Sequence, residues 1–135
     1  MEASIDRVLR EAKTIAVVGL SPKPERASFV VASYLQQHGY HIIPVNPTVD
    51  QVLGQKSYPD LTSVPERIDV VDIFRRSEDV PPVVDEAIRV GAKVIWMQEG
   101  VINEAAATKA RQAGLEVIMD RCMLKEHRRM SNPLR

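Results

Sequence analysis

Thr14-Ile15-Ala16-Val17-Val18-Gly19-Leu20-Ser21-Pro22-Lys23-Pro24-Glu25-Arg26-Ala27-Ser28 is the stretch whose reading decides the fold. A short apolar run ends at a glycine, passes through a loop and opens onto an amphipathic segment. That is the outline of a strand buried on both faces, a phosphate-sized turn and a helix N-terminus. The loop carries Pro22 and Pro24 and has no second glycine. Ser21 stands where a G-x-G-x-x-G turn has its second glycine and Pro24 where it has its third, so the dinucleotide fingerprint is absent.

Working outward, the same alternation repeats. Ile5, Val8, Leu9 and Ala12 recur at helical spacing behind Ser4, which suits an N-cap, so residues 4–12 read as a short helix. Ala27, Val30, Val31, Leu35 and His38 mark a second helix that Gly39 ends. Residues 41–47 form the second strand, in which Pro44 argues for an irregularity or for a position where its missing N–H is not needed. Residues 48–67 lack a period and read as a connection with one helical turn near residues 49–53. Residues 68–74 are the third strand. Ser77 or Asp79 then caps a helix that tolerates Pro81 and Pro82 in its first turn. Residues 93–97 are the fourth strand. Asn103 caps a helix whose inner face is Ala106, Ala107, Ala110 and Ala113. Residues 115–119 are the fifth strand, residues 123–130 a last helix, and 131–135 a frayed tail.

Five strands separated by helices or helix-length connections argue an α/β fold: a Rossmann-like, doubly wound, five-stranded parallel sheet with helices on both faces. Right-handed crossovers leave the order 3-2-1-4-5, which we expect, and the flavodoxin-like 2-1-3-4-5. At 135 residues the chain is expected to be a single domain.

Composition narrows the function classes. Eighteen basic residues balance eighteen acidic ones, so net charge supports neither nucleic-acid nor membrane binding. The single cysteine cannot form an internal disulfide, and the N-terminus lacks the pattern of a signal peptide. No apolar run approaches the ~20 residues of a membrane span. The expected location is the cytoplasm.

In either strand order, ligands bind outside the carboxyl ends of the strands. That rule selects residues 19–21, 46–47, 74–76, 98–100 and 120–122. Gly19 lets a ligand approach the backbone. Ser21 and the N–H groups of residues 26–28 can donate to phosphate oxygens, and Lys23 or Arg26 can pair with them. The second strand ends in Val45-Asn46-Pro47, without the carboxylate that takes the ribose hydroxyls in NAD-binding folds. A ribose bearing a phosphate is therefore not repelled, and Arg75 and Arg76 add cations nearby. Trp96 and Phe74 fall near the same edge, and Gln98 offers a polar contact. Cys122 lies on that edge too. His127 is five residues on, a spacing that puts the two on different faces of a helix, so a Cys–His pair is weak. Asp120, Cys122 and His127 do not make a metal pattern.

Residues 19–28, 39–47, 72–76, 96–100 with Asn103-Glu104, and 120–122 with Glu126-His127 resemble the small stand-alone CoA-binding domain proteins. The likeness runs in order over about residues 8–130. That family is similar to the N-terminal CoA-binding domain of the succinyl-CoA synthetase alpha subunit and of ADP-forming acyl-CoA synthetases. The resemblance implies a Rossmann-like fold and coenzyme A as cofactor. It implies that Gly19, Leu20, Ser21 and Arg26, with Lys23, hold phosphates. Asn46 and Pro47, with Val45, border the adenosine, and Phe74 and Arg75 lie opposite. Trp96, Met97 and Gln98 line the path of the pantetheine. The synthetases act through a phosphohistidine in a separate domain, which these residues do not include. The expected function is binding of CoA or an acyl-CoA by a non-catalytic module, carrier or sensor, with a protein partner or a homo-oligomer left open. The alternatives are a small NAD(P)-linked enzyme, a Cys122-dependent CoA enzyme, and a purely structural role.

Overall fold

A computed structural model describes residues 4–130. The hydroxyl of Ser4 accepts the Arg7 amide and starts α1 (Ile5–Glu11). Then follow β1 (Thr14–Val18), α2 (Ala27–Gln37) and β2 (His41–Val45). A small hairpin, β3 (Gln51–Val52) and β4 (Gln55–Lys56), leads to β5 (Val70–Ile73), α3 (Val80–Val90) and β6 (Val94–Met97). The chain closes with α4 (Glu104–Gln112), β7 (Glu116–Ile118) and α5 (Met123–Arg129). The expected tail, 131–135, lies outside the described residues.

The main sheet is parallel throughout and runs β2-β1-β5-β6-β7. The five-stranded, doubly wound α/β architecture is as expected, but the order 3-2-1-4-5 is not. Counting only these five strands along the chain, the order is the flavodoxin-like 2-1-3-4-5. The reason lies at the outer edge of β2. Pro44 presents no N–H there, and the edge is closed by Tyr58, whose amide donates to the Pro44 carbonyl at 3.1 Å while the Asn46 amide donates to the Tyr58 carbonyl at 2.9 Å. The third strand therefore returns across the sheet and pairs with β1.

The central strands β1, β5 and β6 are buried on both faces, which is why their apolar runs do not alternate. Ala16, Val18, Ile43, Val71, Ile73, Ile95 and Met97 pack under α3 and α4. Ile15, Val17, Ile42, Val70, Trp96 and Ile118 pack under α1, α2 and α5. Asp72 points to this second face between Val17 and Trp96 and is fully buried.

Local corrections have local causes. Residues 49–53 are not a helical turn. Leu53 and Gly54 both take positive φ, 55° and 74°, the geometry of a two-residue hairpin turn. Neither Ser77 nor Asp79 caps α3 with its side chain. A 3-10 turn over Ser77–Asp79 runs straight into it, with Pro81 and Pro82 in the first turn. Asn103 does cap α4, accepting the Ala106 amide at 2.9 Å. Ala106, Ala107 and Ala110 are buried, whereas Ala113 is the exposed C-cap.

Candidate functional site

From β1 the chain departs to one face of the sheet through α2. From its neighbour β5 it departs to the other through α3. The carboxyl ends of these two strands therefore part and leave a crevice. Gly19, at φ 87°, stands at its floor. A Cβ there would lie 2.3 Å from the Phe74 carbonyl oxygen. The glycine is thus demanded first by the neighbouring strand. Access for a ligand, the role expected of Gly19, comes second to this contact.

An open cleft of about 490 Å³ extends from this point. It is lined by the 19–28 loop on one side, by Asn46, Thr48 and Val49 on another, and by Phe74. A second cleft of about 410 Å³ shares Ala27 and Phe74 with the first and continues past Arg75, Gln98, Glu99 and Val101. Together they form one groove along the carboxyl edge, bent around the Phe74 ring.

The loop at the head of α2 is held in shape from both sides. The Ser21 amide donates to the buried Ser28 Oγ at 3.0 Å, and the Lys23 amide donates to Ser21 Oγ at 3.1 Å. From β2, Asn46 Nδ2 donates to the Leu20 carbonyl at 2.9 Å. Asn46 Oδ1 in turn accepts the Thr48 amide at 2.9 Å and the Thr48 hydroxyl at 2.7 Å. Arg26 occupies the N-cap position of α2 without a side-chain cap, and no acidic residue stands in the first turn. The positive end of that helix opens into the cleft uncompensated. Lys23 and Arg26 line the same cleft and Arg75 the next, all exposed and none in an ion pair among the described residues.

Arg76 differs. Its guanidinium pairs with Asp79 at 3.0 Å and lies 3.7 Å from Glu78, and the hydrogen bond to Asp79 raises its pKa above the ordinary arginine value. Its charge is therefore largely answered within its own loop. Glu99 is likewise tied to Lys125 Nζ at 2.9 Å, a contact that raises the lysine above its usual range.

The structure brings Gly19, Ser21, Lys23, Arg26, Asn46, Phe74, Arg75 and Gln98 together along the groove. Gln98 is buried, with Oε1 accepting the Met123 amide at 3.1 Å, so it also anchors α5. Other expected site residues do not present side chains to it. Leu20 and Val45 are core residues and reach the site only through backbone carbonyls. Pro47 is exposed beside the cleft without lining it. Trp96 is fully buried, its Nε1 donating to the Arg121 carbonyl at 2.8 Å, and Met97 is fully buried on the opposite face. The register explains this. Trp96 lies level with Asp72 and Val17, and Met97 with Ile73 and Val18, inside the sheet and short of its carboxyl edge. Phe74, the residue after β5, is level with Gly19 and is the aromatic at the crevice.

Ala27, Ser28, Thr48, Val49, Glu99 and Val101 line the groove without having been named individually as site residues. Thr48, Val49 and Val101 lie one or two residues beyond a selected carboxyl-end segment, so widening those segments would have found them; Glu99 lies inside one, and Ala27 and Ser28 belong to the helix start whose amides the sequence already offered. Cys122 is buried at the head of α5, and the His127 Nδ1 lies 2.7 Å from the Tyr34 hydroxyl. Among the described residues no group of three or more His, Cys, Asp or Glu is placed to hold a metal ion. None of the helices there is long and apolar enough to cross a membrane.

Comparison with known proteins places this geometry. The chain is 44% identical over 126 residues, 93% of each protein, to the uncharacterized protein YneT of Bacillus subtilis (strain 168). It is 34% identical over 83 residues to the ADP-forming acetate–CoA ligase II of Archaeoglobus fulgidus, which covers 60% of this chain and 12% of the ligase. Its fold matches a hypothetical protein from Pyrococcus horikoshii OT3 with a TM-score of 0.92 and 42% identity, over 98% of this chain and 100% of that one. A second structure, cell-free ID.343 from Thermus thermophilus, matches with a TM-score of 0.89 and 31% identity, over 93% of this chain and 95% of that one. The CoA binding domain family matches residues 13–128, and the chain belongs to that family.

Proposed function

We propose that this protein binds coenzyme A or an acyl-CoA in the groove along the carboxyl edge of its sheet, as a single-domain, non-catalytic carrier or sensor in the cytoplasm. One observation carries the reading. The uncapped N-terminus of α2 and the unpaired side chains of Lys23, Arg26 and Arg75 converge on a groove whose floor is glycine backbone. Anionic oxygens answer such a set of donors, and a diphosphate bridge supplies them. The more apolar limb past Phe74 and Val101 suits an uncharged arm such as pantetheine. In this reading Gly19, Ser21, Lys23, Arg26 and Arg75 answer the phosphates, Asn46 and Thr48 border the adenosine, and Phe74 and Gln98 follow the arm.

Calorimetry with CoA, dephospho-CoA and NAD tests it. CoA is expected to bind, and NAD not. Binding of NAD without CoA would sink the proposal and favour the dinucleotide enzyme. Replacing Arg26 by Ala is expected to weaken CoA binding by about 1.5–3 kcal/mol, the range for a hydrogen bond to a charged group. An unchanged affinity removes Arg26 from the site.

A further inference from the structure

Resting on that reading of the groove, we propose that Asn46, locked by Thr48, is a specificity-determining residue that makes the site prefer a ribose carrying a phosphate over one with a free diol. Asn46 stands at the end of β2, beside β1. There a dinucleotide-binding fold offers a carboxylate whose two oxygens accept the ribose hydroxyls. An asparagine could still offer one neutral acceptor. Here its oxygen is already used twice, by the Thr48 amide at 2.9 Å and the Thr48 hydroxyl at 2.7 Å. Both lone pairs of the amide oxygen are thereby occupied. Its nitrogen is turned away to the Leu20 carbonyl at 2.9 Å.

The corner therefore has no carboxylate and no uncommitted amide oxygen. The acceptors left there are neutral, the Thr48 hydroxyl oxygen among them. The cleft around it is cationic, with Lys23 and Arg26 both lining it and no carboxylate in its lining. A diol meets only neutral acceptors there, while a phosphate monoester meets cations and no opposing negative charge. The same amide ties the β1 loop to the β2 loop, so the selective corner and the phosphate loop are fixed together.

The test uses two small probes without a pantetheine arm, adenosine 3′,5′-bisphosphate and ADP, titrated into the whole protein. The wild type is expected to prefer the bisphosphate. Asn46→Asp restores a carboxylate, which adds diol acceptors and repels a phosphate. It is expected to move the preference toward ADP by about tenfold or more, the range of one charged hydrogen bond. Thr48→Asp spares the tie to Leu20, releases one lone pair of the Asn46 oxygen and sets a carboxylate at the same corner. It is expected to move the preference the same way, and it serves where Asn46→Asp fails to fold. A merely structural role for Asn46 predicts that both ligands weaken alike and the ratio stays put. An unmoved ratio in the folded variants overturns the inference. So does a wild type that prefers ADP, which leaves the proposed function standing if CoA itself binds. A wild type that takes neither probe nor CoA overturns both.

Discussion

At the scale of single residues, Asp72 is the least comfortable group in the molecule. Its carboxyl is fully buried between Val17 and Trp96, and neither oxygen has a hydrogen-bond partner. Burial alone raises its pKa well above the ordinary aspartate value, with no charged neighbour contributing. The folded chain thus holds this proton more tightly than the unfolded chain does. Its contribution to stability is complete below the unfolded pKa of about 3.9 and is lost as pH rises from there through the raised folded value. Asp72→Asn removes that titration. The variant is expected to gain on the wild type as pH rises above about 4, read from urea midpoints across a pH series. A constant offset between the two proteins at every pH would show that Asp72 does not titrate in this way. Gly19 makes the opposite kind of demand. Gly19→Ala drives a Cβ to 2.3 Å from the Phe74 oxygen at a φ of 87°. It is expected to destabilise the fold by roughly 3 kcal/mol, from overpacking added to backbone strain. Chemical denaturation measures it, and a loss below about 1 kcal/mol would mean that β1 and β5 part without penalty.

Elements followed the sequence where their signals are local. Ser4 and Asn103 cap their helices because a side-chain oxygen three residues upstream meets an otherwise unpaired amide. Asn103→Ala is expected to cost about 1 kcal/mol and to fray the first turn of α4, which amide hydrogen exchange at Ala106 reports. Asn103 Nδ2 also donates to the Ser77 carbonyl at 2.9 Å, so the same variant loosens the entry to α3. That second bond joins residues far apart in the chain, and no helix signal announces it. The 48–67 connection was the least legible element. Its hairpin rests on the positive φ of Leu53, a residue type that does not advertise that conformation, and on Gln36 Nε2 donating to the Leu53 carbonyl at 3.0 Å. The alanine face of α4 was read from its period. Ala113 fell outside it because the helix ends at Gln112.

For the molecule as a whole, the arrangement of charge separates two edges of one sheet. At the amino edge the charges pair with one another: Arg7 with Glu11 and Glu116, and Lys93 with Asp69. At the carboxyl edge Arg76 and Lys125 pair with Asp79 and Glu99, while Lys23, Arg26 and Arg75 make no ion pair among the described residues. A ligand that answers those cations binds only the folded state. CoA at a hundredfold above its dissociation constant is expected to add about 2.7 kcal/mol to folding stability and to raise the melting temperature accordingly. Added salt is expected to shrink that gain, because the cations are exposed and screened within about a Debye length of roughly 10 Å at 0.1 M. Melts with and without CoA at low and high salt measure both effects. A melting temperature that CoA leaves unchanged would count against the groove as its binding site.

Features set by neighbouring residues were legible in the chain before it folded. Apolar runs bounded by Gly and Pro made strands, the 3.6-residue period made helices, and their alternation made a parallel α/β sheet whose carboxyl edge had to carry the loops. The sequence also placed Lys23, Arg26 and Asn46 on that edge. Which strand lies beside β1 was settled by packing: Pro44 marks an edge locally, but its closure by Tyr58 joins residues far apart in the chain. That pairing puts Phe74 in the crevice and makes a close approach that only Gly19 allows, while the register of β6 keeps Trp96 and Met97 in the core. The loop that opens the chain's first crossover is shaped by side chains from α2 and β2, because a turn without a second glycine needs outside hydrogen bonds to hold its form.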